Sequence, residues 1–244
     1  MTMKTLENKP LLKLTEAQLL DYIKCPNLFY LKYLSRIPYK ESKTYKNCVK
    51  NLMYAYLGRL LDGKVLTLKE IKNKWDRIID DNEELFNENK VLEGIGYMNI
   101  LDHYCRTQQV IIADINTPYQ VNFKDNIAVT GNLGPLRYNN GKIELFLPEP
   151  SQKQPDQTLL NMSIKYTLQI KAIKQLDKNV KVDGIKIFHV KSGKEFTSYR
   201  TQKDFDRLDK IVAGVGKAIR EEIFYAREDY MCSQCKYKNY CGYI

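Results

Sequence analysis

An α/β fold is predicted from three observations. Apolar residues recur at helical spacing through residues 1–107, β-rich runs bounded by turn residues fill 108–200, and over 201–244 a long amphipathic stretch leads into a cysteine cluster. The 244 residues show no internal repeat and no low-complexity linker. The expectation is therefore a single domain, 1–244, with a mixed sheet, a helical N-terminal part and a C-terminal cysteine cluster.

Taken in order, Thr15-Glu16-Ala17-Gln18 is a capping box that opens a helix with Leu19, Leu20 and Ile23 on its apolar face. Cys25-Pro26 breaks it, and Pro26 suits the first position of a second helix carrying Leu28, Phe29, Leu31, Tyr33 and Leu34. Cys25 thus falls on a rigid corner. Tyr45, Cys48, Leu52, Tyr56 and Leu60 predict a helix over 45–61. A second capping box, Thr67 to Glu70, opens a helix with Ile71, Trp75, Ile78 and Ile79, and Val91, Ile95, Met98 and Leu101 place another over 91–105. The N-terminal half reads as entirely helical.

Strands are expected over 110–115, 119–123, 127–130, 133–138 and 142–147, the last pair joined at Asn139-Asn140-Gly141, as an antiparallel meander. Pro148, Pro150 and Pro155 mark the exit loop. Residues 159–176 read as one helix with Leu159, Ser163, Tyr166, Ile170 and Ile173 on one side. Strand 182–190 and a partner over 194–200 make a hairpin through Ser192-Gly193, and Thr201 caps a helix carrying Phe205, Leu208, Val212, Val215, Ile219 and Ile223.

The composition narrows the function classes. The formal net charge is +10, from 39 basic and 29 acidic residues, and such an excess attracts polyanions, which makes DNA the expected partner. No apolar run approaches the ~20 residues of a membrane span, and the first residues lack the apolar stretch of a secretory signal. The expectation is a cytoplasmic chain with no membrane association and reduced cysteines. Its wealth of Lys, Asn, Ile and Tyr points to an AT-rich genome, such as that of a phage or low-GC bacterium.

In MCSQCKYKNYCGYI, Cys232, Cys235 and Cys241 cluster at a polar terminus, a spacing that favours a metal over unconnected buried thiols. A closed tetrahedral site needs a fourth thiolate, and Cys25 is the best candidate, with iron or zinc as occupant. Cys48 and Cys105 remain as core thiols. Basic and aromatic residues interleave in Tyr30–Lys40 and Lys236–Tyr240, where Lys32, Arg36, Lys40, Lys236 and Lys238 would neutralise phosphates and tyrosines would stack on unpaired bases. The alternative is that these tyrosines pack around the metal centre.

The Cys25-Pro-x2-Phe-Tyr corner, the helical stretch, the meander, the helix, the hairpin and the terminal C-x2-C-x5-C together resemble the RecB-like branch of the PD-(D/E)XK nuclease superfamily. More narrowly they resemble its iron–sulfur members, the CRISPR-adaptation exonucleases and AddB-type subunits. The resemblance implies a PD-(D/E)XK core in which Cys25, Cys232, Cys235 and Cys241 hold a 4Fe-4S cluster that pins the chain ends together, with zinc as the alternative. It also implies phosphodiester cleavage by a divalent metal held on carboxylates, with a lysine beside it.

The catalytic motifs, however, are lost. The stretch matching a Gly-x3-His pattern, Cys48 to Met53, has no histidine. In Val129-Thr-Gly131-Asn-Leu-Gly134-Pro135, glycine stands where the metal-binding aspartate is expected, and in Ile143 to Glu149 no lysine follows a carboxylate by two. Gln169 is followed four residues on by Ile173 in place of tyrosine. Asp114, Glu144, Glu149 and Lys165 are the remaining candidates for a migrated catalytic set, while His103 and His189 are isolated. The expectation is a catalytically inactive protein of this fold that binds DNA or acts as a scaffold subunit in a replication, recombination, defence or virion assembly. The alternatives are an active metal-dependent deoxyribonuclease and a purely structural subunit.

Overall fold

The computed structural model describes residues 10–38, 43–64, 67–176 and 181–242. In chain order the elements are β1 (Leu12–Thr15), α1 (Glu16–Lys24), α2 (Pro26–Phe29) with a wider turn over Tyr30–Leu34, α3 (Tyr45–Leu61), α4 (Leu68–Asp80) and α5 (Glu88–Thr107). There follow β2 (Ile111–Asp114), β3 (Pro118–Phe123), β4 (Ile127–Asn132), β5 (Leu136–Asn139), β6 (Lys142–Glu149), α6 (Gln157–Met162) and α7 (Ile164–Leu176). The chain continues through β7 (Val182–His189), β8 (Lys194–Ser198) and α8 (Gln202–Arg220) to two short 3-10 turns at Tyr230–Gln234 and Lys238–Tyr240. The protein is α/β with mixed sheets. No helix among the described residues is long and apolar enough to cross a membrane.

Local chemistry sets the helix starts. The Thr15 and Thr67 hydroxyls accept from the Gln18 and Glu70 backbone N–H groups, while the Gln18 and Glu70 side chains accept from the Thr15 and Thr67 N–H groups, so orphan amides at each start are satisfied. At α8 the Thr201 N–H donates to Asp204 at 2.8 Å.

The described residues within 1–40, 118–131 and 201–244 form one compact, terminal unit, and those within 41–117 and 132–200 form a second, central one. The terminal unit holds a three-stranded sheet in the order β1-β4-β3, with β1 parallel to β4 from Leu12 opposite Ile127 to Thr15 opposite Thr130. Leu14, Leu19, Tyr119, Val121, Val129, Phe205, Leu208 and Val212 are buried in this unit. The strand β1 departs from the all-helical expectation for the N-terminal half. Its alternation is only four residues long and abuts a helix cap, so its parallel pairing with a strand over a hundred residues away decides the conformation.

The central unit holds a five-stranded sheet, β2-β5-β6-β7-β8, antiparallel except where β6 runs parallel to β7. The expected meander is therefore divided, with β3 and β4 in one sheet and β2, β5 and β6 in the other. The turn between β5 and β6 forms at Asn140 and Gly141, whose φ angles of 50° and 74° require residues tolerant of left-handed backbone. One core cluster takes residues from α3, α4 and α5 and from the sheet, including Leu52, Tyr56, Trp75, Met98, Phe146 and Phe188, and it contains Cys48 and Cys105 as expected. The helix expected over 159–176 is two. Ser163 adopts an extended conformation that ends α6, and Leu159, expected on the apolar face, is 70% exposed because α6 is a separate short helix capped by Asp156.

Candidate functional site

In the terminal unit, the sulfur ligand candidates sit on two short, well-anchored segments. Cys25 ends α1, where its N–H donates to the Asp21 carbonyl, and Pro26 starts α2, so the corner is fixed on both sides. A segment following α8 is sewn to it. The Tyr22 hydroxyl donates to the Ile223 carbonyl at 2.6 Å, the Asn27 N–H donates to the Tyr225 carbonyl at 3.0 Å, and Phe224 lies against Phe29, Tyr22 and Tyr30 with ring centroids 6.0, 6.3 and 5.4 Å away. The chain then turns through Cys232, Cys235 and Cys241.

All four cysteines line one cavity of about 40 Å³, together with Leu28, Leu31, Met231 and Tyr237. Three of the sulfurs accept N–H bonds. Cys25 accepts from the Arg227 backbone at 3.4 Å, Cys232 from the Asp229 backbone at 3.5 Å and Cys241 from the Asn27 amide at 3.2 Å. Donors aimed at sulfur stabilise thiolate charge and tune a bound metal group, so the second layer as well as the donor set suits a four-thiolate centre. Among the described residues, no three Cys, His, Asp or Glu side chains are already drawn into ligating geometry. What the chain supplies is convergence of four soft donors on one cavity, which fits iron–sulfur and zinc alike. Sequence reasoning missed Asn27, Phe224 and Arg227. Asn27 lay inside the quoted corner motif, but nothing local to it signals a bond to a residue 214 positions away.

The phosphate-contact candidates in the terminal unit divide. Lys32 is bound to Asp21 at 2.9 Å, Tyr33 donates to the same carboxylate, Arg36 is exposed, and Lys40 lies outside the described residues. Lys236 and Lys238 are exposed while Tyr237 between them is buried against the cavity, so the run alternates outward charge with an inward ring. Tyr230, 85% exposed, and Tyr240 face solvent.

The catalytic candidates all fall in the central unit, which commits Asp114 and Glu144 to other partners and leaves Glu149 and Lys165 both within electrostatic reach of Lys50. Asp114 accepts from the Ile115 N–H and the Thr117 hydroxyl, which shapes the turn after β2. Glu144 is fully buried and accepts from Arg137 at 2.9 Å and from Asn139 at 3.1 Å. Arg137 also bonds Glu195 at 2.7 Å and lies 4.6 Å over the Phe146 ring, while Lys186 stands 4.0 Å from Glu144. Burial, and then the bond to Glu195, holds the pKa of Tyr104, the next member of this network, above its usual value. Asp114 and Glu144 are thus committed to structure, and strand alternation puts Glu144 and Glu149 on opposite faces of β6.

Glu149, at the end of β6, is met by Lys46 and by Lys50 at 3.5 Å. Close by is Gly134, at the expected aspartate position. A Cβ there would lie 2.6 Å from Leu147 Cδ2 and 3.7 Å from the Tyr54 hydroxyl, so a side chain at this position would push the end of Leu147 aside. His189 is held between Ser192 and the Ser151 carbonyl, each at 2.8 Å, in a structural role.

The chain is similar to the solved structure titled "Crystal structure of SSO0001", at 9% identity and a TM-score of 0.38, over 93% of this chain and 95% of that one. No family model matches the chain, and no curated protein matches it.

Proposed function

We propose that the chain is a RecB-like protein of PD-(D/E)XK architecture that binds nucleic acid without cutting it. Gly134 carries this reading. Having no side chain, Gly134 offers no oxygen ligand of the kind magnesium requires, and a Cβ there would meet Leu147 Cδ2 at 2.6 Å. Glu149, at the end of β6, faces two ammonium groups in place of a cation. The net charge of +10 supports a polyanionic partner, and the exposed Arg36, Lys236, Lys238, Tyr230 and Tyr240 supply phosphate-neutralising and base-stacking groups.

In the terminal unit Cys25, Cys232, Cys235 and Cys241 would hold an iron–sulfur cluster or a zinc ion. Such a group, when bound, cross-links the Cys25 corner to the final turns, so ligation free energy becomes folding free energy. The chain's own contribution is to hold the corner rigid through Pro26 and the Phe224 stack, and to aim N–H donors at the sulfurs.

The test uses anaerobically purified full-length protein with end-labelled single- and double-stranded oligonucleotides, with magnesium or manganese present. Expected is retention of uncut strands, with affinity falling linearly in log K against log salt. Cleavage that disappears in Glu149→Ala would overturn the proposal.

A further inference from the structure

Asn27 aims a buried donor at a weak acceptor. It is the second residue of α2, directly after Pro26, and only 7% exposed, a degree of burial at which an amide needs hydrogen-bond partners. Its Nδ2 donates to Cys241 Sγ at 3.2 Å, across 214 positions of sequence. The sulfur of a free thiol accepts only weakly. The same contact becomes a strong, charge-assisted one when that sulfur is a metal-bound thiolate. Most of what this bond can contribute therefore appears only when Cys241 is a ligand.

The backbone of Asn27 is engaged separately. Its N–H donates to the Tyr225 carbonyl at 3.0 Å, so α2 stays fastened to the segment after α8 whatever side chain stands at position 27. Cys25 and Cys232 accept from the backbone of Arg227 and Asp229, at 3.4 and 3.5 Å. Of these three donors to sulfur, only the one on Cys241 comes from a side chain. Asn27 also lies two residues after Cys25, so the corner that presents one thiolate reaches across to another.

We propose that Asn27 is a positioning residue for the four-thiolate centre, whose amide holds Cys241 Sγ in place and withdraws charge from it once it is metal-bound. The inference rests on the reading of Cys25, Cys232, Cys235 and Cys241 as a metal site, and goes beyond it by assigning a fifth residue that ligates nothing. Hydrogen bonds to ligating sulfur tune the affinity and the electronic properties of the bound group. A carboxylate at the same place would act in the opposite sense, since it accepts where the amide donates and adds negative charge beside the sulfur.

The experiment compares full-length wild type, N27L and N27D, purified anaerobically. Leucine keeps the branched outline and loses the donor, while aspartate keeps the shape and reverses the polarity. Two quantities are read: the chelator concentration that strips half of the metal, and the energy of the thiolate-to-metal charge-transfer absorption, measured on iron-loaded protein or, where zinc is the occupant, after Co(II) replaces it. Metal retention should fall about tenfold in N27L and about a hundredfold in N27D. The absorption should move to lower energy in the same order, because a sulfur that loses its donor gives up its electrons more readily. A role in packing alone predicts the reverse order and no spectral shift, since aspartate is the closer fit to the space of asparagine. Where N27D fails to fold, the band position in N27L decides alone. Wild-type retention and band energy in the variants, or tighter retention in N27D than in N27L, would overturn the role of Asn27 and leave the metal centre standing. Wild type that takes up neither iron with sulfide nor Co(II) would overturn the metal centre itself, and the inference with it.

Discussion

The terminal and central units each carry a set of side chains able to hold a metal, and they treat those side chains in opposite ways. In the terminal unit Cys25, Cys232, Cys235 and Cys241 line one cavity; Cys25, Cys232 and Cys241 each accept an N–H bond, and the Cys232 thiol also donates to the Arg227 carbonyl at 3.6 Å. In the central unit Glu144 is bound by Arg137, Glu149 by Lys46 and Lys50, and Asp114 by its own turn. The difference teaches that residue type is a poor guide to a metal site. What matters is whether the donors are free of partners that already satisfy their charge, and a carboxylate beside an ammonium or guanidinium group is not.

The largest effect should come from removing a cavity thiol. Structural thiolate sites contribute apparent binding energies of about 10–16 kcal/mol in small zinc domains, so losing one ligand should remove several kcal/mol. Cys25→Ser and Cys241→Ser are expected to lose bound metal and to lower the melting midpoint by on the order of 10 °C, measured by metal analysis and calorimetry. Cys48→Ala and Cys105→Ala should keep full metal content. The contrast breaks if these core variants lose metal to the same degree. Thiol labelling sharpens it. Burial pushes the Cys105 pKa up to about 12 and raises that of Cys48, so at pH 8 both stay as unreactive thiols in the folded protein, whereas the cavity thiols should label once a chelator is added.

Next in size is Glu144→Ala. It removes one of the two carboxylates on buried Arg137, which keeps Glu195 at 2.7 Å, and should cost on the order of 3 kcal/mol in urea unfolding. Metal content and oligonucleotide affinity of the folded fraction should stay at wild-type levels. A selective loss of binding without loss of stability would return Glu144 to the functional set.

The helical layer and the strand positions were legible in the sequence because local chemistry specifies them. The capping boxes at Thr15 and Thr67, the break at Cys25-Pro26 and the Asn140-Gly141 turn each form as read. What stayed hidden is set by distant partners. β1 depends on β4, the division of the meander between two sheets depends on strand pairing, and the burial of Glu144 depends on Arg137, which is on the neighbouring strand. Within the candidate site the cysteines were readable from spacing. The lysines that meet Glu149 were not, since Lys46 and Lys50 look like solvated charges on a helix until the end of β6 is brought beside them.

Smaller again is Gly134→Ala. The added methyl meets Leu147 at 2.6 Å inside a buried layer, and overpacking of this kind costs about 1–3 kcal/mol. Gly134→Asp should cost at least as much and restore no metal-dependent cleavage, because the strand end still presents Glu149 to two lysines. Recovered nuclease activity in that variant would show that the central unit lacks only one carboxylate, and the contrast between the units would then shrink to a single residue.

The smallest effects test whether equal local signals contribute equally in the two units. Thr15→Ala and Thr67→Ala each remove the acceptor for one backbone amide at a helix start, a loss of about 1 kcal/mol in unfolding experiments. Although α1 carries the Cys25 corner, Thr15→Ala should leave metal content unchanged. The corner is fixed at the other end of that helix, by the Cys25 N–H on the Asp21 carbonyl, the Tyr22 hydroxyl on the Ile223 carbonyl and the Phe224 stack. Metal loss in Thr15→Ala but not in Thr67→Ala would mean that the first turn of α1, and not the aromatic clamp, positions Cys25.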